Sequence, residues 1–442
     1  MKKHILICSI TAVLLTLTSC NSINETQHSA SEISTTDNSS QSPLLYDEVG
    51  IEEIYVDPYV VFNYVNIPEE KIFTEGDFRY ILSADEKYAA IIEYTGTDTT
   101  VEIPFMLNQK PVAALGLRLE KKENSTSRRN CFNRNETVEK IIIPPTVVAI
   151  ENYAFDSCTN LKEVVIPDSV IRVGNNVFDG CTSLISVNLP ESIIELGKAV
   201  FSGCSSLKHI TIPSSISWLR DSFFYGCSSI ESIVIPDTVK YIGGYMFSGC
   251  SALTSVAFPD NIIIQSTDYM FKDCNALTSI SIPVSCTEIG TDMFMNCTAL
   301  TSITLPDGIT ELGSSAFEGC TGLTSIVIPD SVTEMGYAAF RGCTGLKEIK
   351  LSSQLTSLHN NLFEDCTAIT HIEIPASATY MSNETFSGCT SLQEVVFPAE
   401  FKSVGDRAFK MCSSLRKLTV PYGVDFGDDV FEGITKPEII YE

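Results

Sequence analysis

A phenylalanine and a cysteine in the spacing Phe-x-x-Cys return every 23 residues along most of this chain. Copies begin at Phe155/Cys158, Phe178/Cys181, Phe201/Cys204 and Phe224/Cys227, and run on to Phe409/Cys412. One step slips, by a single residue, between Cys250 and Cys274. A fixed period of this length builds a stack of similar turns, not a globule around one enclosed core. The functional question therefore moves from a catalytic pocket to a long repeated surface.

One copy runs from Phe155 through Cys158, Leu161, Val164, Ile166, Pro167, Val170 and Val173 to Gly174. Alternation at Val164 and Ile166 predicts a short strand with one buried face. Pro167 ends it, because proline has no N–H to give to the next rung. Val170 and Val173 turn back inside, and Gly174 is expected to permit a turn. Phenylalanines fill the far side of each coil.

The frame extends past the cysteine copies. Phe132 lies 23 residues before Phe155, with Asn135 in the cysteine slot and Cys131 in the slot of Ala154. Phe431 is the last copy, with Ile434 in the cysteine slot and Ile439-Ile440-Tyr441 as a closing strand. Upstream, Val101-Glu102-Ile103-Pro104 and Val112 to Gly116 read as a degenerate first repeat. Residues 47–100 lack the period. Within them Tyr80-Ile81-Leu82 and Tyr88 to Ile92 read as a hairpin that covers the first coil, as terminal coils require; a binding role for the segment is the alternative.

The frame Leu-x-x-Val-x-Ile-Pro-x-x-Val-x-x-Val-Gly, followed by Ala/Val-Phe-x-x-Cys, resembles the BspA-like leucine-rich repeat family over about residues 101–442. The resemblance implies a right-handed superhelix with a concave parallel β-sheet; with the fourteen phenylalanine positions from Phe132 to Phe431 and the hairpin, the expected fold is an α/β solenoid of about 14 coils of 23 residues plus a small β-rich N-terminal cap. The resemblance also implies extracellular display and roles in adhesion to host proteins or other cells.

The N-terminus reads as an export signal over residues 1–19. Lys2 and Lys3 precede an apolar run from Ile5 to Leu17, too short to span a bilayer. Leu17-Thr18-Ser19-Cys20 resembles the lipobox of bacterial lipoproteins, which implies cleavage before Cys20 and a diacylglycerol on its sulfur. A plain signal peptide cut nearby is the alternative. The segment from Cys20 to Tyr46 is rich in Ser, Thr, Asn and Gln and reads as a disordered tether. The membrane is then met through the lipid anchor alone. Formal net charge is −26, and loss of Lys2 and Lys3 makes it −26 − 2 = −28. That balance argues against nucleic acid as a partner.

Sixteen cysteines in an exported chain would ordinarily suggest disulfides. Here stacked coils would hold equivalent cysteines about 4.8 Å apart with parallel Cβ vectors, which oppose bridging. A collinear ladder cannot wrap a metal tetrahedrally either. Buried free thiols are the expectation, Cys286 included, with no metal and no cofactor. Of five histidines, His209 and His371 share a column seven coils apart, about 34 Å, and cannot share a reaction. His359 stands at the usual glycine position. No nucleophile elbow, phosphate-cradling loop, zinc helix or calcium loop is present. No catalytic residues are assigned, and the chain is not read as an enzyme. Asp168, Glu191, Asp237, Asp260, Asp307 and Asp330 follow the strand-ending prolines. They are either turn residues or an edge column for calcium.

Because Val164 and Ile166 face inward, their neighbours face out. Following those columns assigns Ser186, Asn188, His209, Thr211, Ser232, Ser255, Ser279, Ser281, Ser302, Thr304 and Ser325 to one flat, hydroxyl-rich ligand-binding face. The whole open sheet that carries it is about 60 Å long, twelve steps at ~4.8 Å, which suits an extracellular protein or glycan better than a metabolite. Solvated strands wear the same residues without a ligand. A long insertion between Gly116 and Phe132 carries Arg118, Lys121, Lys122, Arg128 and Arg129 on an otherwise acidic molecule. It reads as a grip for an acidic partner or as a solubilising excursion. A monomer is expected.

Overall fold

The structure, a computed structural model, describes Val56, residues 67–117 and residues 131–442. The signal segment, Cys20 and its tether, and the loop carrying Arg118, Lys121, Lys122, Arg128 and Arg129 lie outside the described residues.

The chain is a parallel β-solenoid of about 15 coils. Every coil contributes a Val-x-Ile-type segment, from Thr100–Glu102 through Glu163–Val165 and Ser232–Val234 to Glu438–Tyr441. Equivalent residues pair in register, as in Ser232 with Ser255 and Val234 with Ala257. The residue between them points into the core, so Val164 and Ile233 are buried while Glu163 and Ser232 are exposed. Proline then stops the strand and its carbonyl accepts from the N–H three residues on: Pro167 from Val170 at 3.1 Å, Pro190 from Ile193 at 3.2 Å.

The single concave sheet expected from the resemblance is joined by a second parallel ladder. It is built from the Val-x-x-Val-Gly part of the repeat: Ala149–Ile150, Arg172–Val173 and Glu195–Leu196 pair in order. The α part of the expected class is corrected too. Among the described residues the helical segment is one 3-10 turn, Glu69–Lys71, and the side opposite the first strands consists of turns.

Those turns are themselves hydrogen-bonded from coil to coil. The N–H groups of Tyr153, Phe155 and Ser157 donate to the carbonyls of Asn175, Val177 and Asp179 at 2.9, 3.0 and 2.6 Å. Aiming every second N–H along the axis requires left-handed backbone on either side of the phenylalanine. The residue two positions before it, from Tyr153 to Asp429, has φ between 51° and 61° in every coil, and it is never glycine. The residue two positions after it is also left-handed, and there glycine predominates, as at Gly180, Gly203 and Gly226.

Inside, the phenylalanine rings form one continuous stack. Successive centroids lie 5.4 Å apart from Phe155 to Phe178 and 5.3 Å from Phe317 to Phe340. The spacing widens to 6.2 Å between Phe201 and Phe224, where Phe223 fills the slot that Ala154 occupies elsewhere. Tyr94 starts the column, 5.0 Å from Phe132. The slip between Cys250 and Cys274 sits after the second strand. Ile263 pairs with Tyr241, 22 residues earlier, and the turn to Phe271 absorbs the extra length.

At the N-terminal end, β1 (Phe73–Glu75), β2 (Phe78–Leu82) and β3 (Ala89–Tyr94) form antiparallel pairs. β3 then runs parallel to Lys110–Leu115, the second strand of the first coil. One face of this sheet joins the solenoid core through Tyr80, Ala89 and Ile91; the other packs Ile81, Ala90 and Ile92 against Val56, Ala113 and Val148.

Gly174 has a different role from the turn-former the sequence suggested. A Cβ there would sit 2.6 Å from the backbone nitrogen of Asn152, and one at Gly197 would sit 2.3 Å from the carbonyl of Gly174. These glycines exist because neighbouring coils touch.

Candidate functional site

The cysteines are the first residues to place. Twelve donate their S–H to a phenylalanine carbonyl one coil back, as Cys158 to Phe132 at 3.0 Å and Cys320 to Phe294 at 3.0 Å. These phenylalanine carbonyls also accept the cysteine N–H within their own coil, Phe155 from Cys158 at 3.1 Å. Both lone pairs of that buried oxygen are used, so the Phe-x-x-Cys motif is a structural joint between coils. Burial pushes the thiols of Cys250, Cys320 and Cys412 up to about 12, and that of Cys286 to about 11. Such sulfurs are poor nucleophiles at neutral pH.

The eleven residues of the strand face, from Ser186 to Ser325, are all exposed and lie on successive first strands. Ser186 pairs with His209, Ser232 with Ser255, and Ser281 with Thr304. They occupy the outward column of these stacked coils. His209 and His371 are exposed on it, His371 beside Glu394. The proline-following acids serve turns where their contacts are described. Glu191 accepts from the Ser214 N–H at 2.9 Å, and Asp330 from the Ser353 N–H at 2.8 Å. That bond holds the Asp330 carboxyl below the usual carboxylate range. Among the described residues no three His, Cys, Asp or Glu side chains gather to hold a metal.

Two features escaped the sequence reading. The outward column of the second ladder carries Trp218, Tyr241 and Ile263 in direct register and exposed. The Arg220 guanidinium lies 4.2 Å over the Trp218 ring. Further along, that column carries Glu288, Glu311 and Glu334 paired in line, and one more exposed aromatic, Tyr380, beside Ser357. The signal was available: an aromatic replaces a charge at one fixed frame position on two consecutive coils.

The second feature is a trough of about 550 Å³ on the turn side. Its floor is the left-handed column where that column becomes small, Asn176, Ala199 and Ser222, between Tyr153 and Tyr245. Lys198, Asp221 and Ser266 line one side. Tyr245 stacks on Tyr269 at 4.8 Å with the rings 7° from parallel. Lys272 covers the Tyr269 ring from 5.3 Å and is itself paired with Asp292 at 2.7 Å.

The model of the BspA type leucine rich repeat region matches residues 125–236, 217–343 and 310–437, a continuous run from 125 to 437. The chain belongs to this family. Among solved structures, the chain is similar to a leucine-rich repeat protein from Bacteroides ovatus, 29% identical, covering 82% of this chain and 92% of that one, with a TM-score of 0.72. A leucine rich cell surface protein from Faecalibacterium prausnitzii is 25% identical over 85% of this chain and 96% of its own, at a TM-score of 0.48. A leucine-rich repeat protein from Eubacterium ventriosum is 19% identical over 82% and 94%, at 0.50. A search of curated proteins found no match. The BspA-type repeat is a leucine-rich repeat scaffold of a generally non-catalytic kind.

Proposed function

We infer that this is an exported lipoprotein, anchored through Cys20 and carried off the membrane by the segment to Tyr46, which adheres to extracellular macromolecules through its repeat surface. The observation that carries the reading is the strand face. Seven consecutive coils present small hydroxyl-bearing side chains, Ser186 to Ser325, open to solvent, with Ser186 and His209, Ser232 and Ser255, and Ser281 and Thr304 in register. A regular, flat array of donors and acceptors suits a protein partner of similar length. Residues 47–100 serve as the cap, the basic loop from Arg118 to Arg129 offers a second contact for an acidic partner, and no catalytic step is assigned.

The test uses cells expressing the full chain. Cys20→Ala should release the protein from the membrane fraction. The triple variant Ser232→Lys, Ser255→Lys, Ser279→Lys should keep it anchored and abolish attachment to immobilised host-matrix proteins. Attachment unchanged by the triple variant would remove the strand face from the function.

A further inference from the structure

We propose that the trough between Tyr153 and Tyr245 is a binding site for a short, neutral oligosaccharide. Four coil steps separate the two tyrosines, about 19 Å at ~4.8 Å per step, which is the length of a few linked sugar rings. The volume lies within the range of ligand sites.

The end wall is the decisive part. Tyr269 and then Lys272, held by Asp292, back one face of the Tyr245 ring. Stacking runs along the solenoid axis, so the opposite face of Tyr245 looks toward the Ser222 coil and into the trough. A ring fixed this way is pre-organised, and loses little freedom when a ligand covers it. The electron-rich face of an aromatic ring attracts the partly positive C–H face of a pyranose. Apart from the two tyrosines, Ala199 and Gly244, the lining is polar: Asn176, Lys198, Asp221, Ser222 and Ser266. That lining matches a ligand with hydroxyls on every unit, and it lacks the apolar pocket that anchors a peptide. Lys198 and Asp221 offset each other locally, and the net charge of −26 repels acidic sugar chains.

The site shares no residue with the strand face, so the two readings stand or fall separately. Ala199→Tyr fills the trough floor and suits the frame, because Tyr153, Tyr245 and Tyr269 already occupy equivalent left-handed positions. The full chain is applied to an array of neutral oligosaccharides, and the best tetrasaccharide is then titrated by calorimetry. Binding should be lost in Ala199→Tyr and weakened roughly tenfold in Tyr245→Ala, the share of about one stacked ring. Ser232→Lys should bind sugar as the unaltered chain does. No binding on the array, or equal binding by all three variants, overturns the proposal. So does a trough that captures a peptide and no sugar.

Discussion

At the residue scale, the cysteine column shows how one side chain can satisfy two requirements. Each sulfur fills a core position and returns a hydrogen bond to the coil before it, as Cys204 does to Phe178 at 3.0 Å. The fourteen described cysteines are all buried. Burial raises the folded-state thiol values above the ordinary 9.0, to about 12 for Cys250 and Cys320. Below pH 9 both folded and unfolded chains keep these protons, and stability is unaffected by them. Between pH 9 and 12 the unfolded chain releases protons that the folded chain retains. Stability then falls by up to about 1.4 kcal/mol per pH unit for each thiol. Alkaline titration followed by circular dichroism should therefore show cooperative unfolding that begins above pH 9. At pH 8, iodoacetamide should label these thiols only after denaturant is added. Labelling of Cys204 in the folded protein would contradict the buried ladder.

At the scale of the coil, stability comes from contact between neighbours, so tolerance varies by frame position. The exposed Ser232 and Ser255 positions accept polar substitution, whereas the glycines before the turn do not. Gly197→Ala forces a methyl to within 2.3 Å of the Gly174 carbonyl. We expect a loss of about 1–3 kcal/mol in urea unfolding, the usual range for overpacking. The same position accepts Arg220 and His359 in other coils, so the penalty is set by local coil spacing. A Gly197→Ala variant as stable as the parent would mean that the two coils sit further apart. The trough is also a property of this scale: it appears where three consecutive coils carry small residues at one position between two coils that carry tyrosine there.

For the whole molecule, nearest-neighbour stacking predicts modular behaviour. Removing residues 305–327, one period, joins Thr304 to Ile328 and preserves every column. That chain should fold as a shorter solenoid with unchanged spectroscopic signature per residue. Removing residues 305–324 breaks the register, exposes the Phe294 ring stack and should yield aggregated protein on size-exclusion chromatography. Equal behaviour of the two deletions would contradict a register-dependent core.

Much of the fold was legible because buried positions repeat. Val164 and Ile166 announced a strand, Pro167 its end, and Phe155 with Cys158 the interior, since each must fit the same space in every coil. The strand face followed from alternation. The trough did not, because the position of Tyr153, Asn176, Ala199 and Ser222 has no fixed residue type and shows no glycine to betray its left-handed backbone. The second ladder was hidden for a related reason: strands of two residues are too short to alternate. The sequence alone thus determined the period, the core and the direction each strand residue faces, because local patterning and burial suffice for those. Only the stacked structure decided where coils touch at Gly174, where side chains from different coils line up at Trp218 and Tyr241, and where Tyr245 closes a trough. Those depend on distances between residues more than twenty apart.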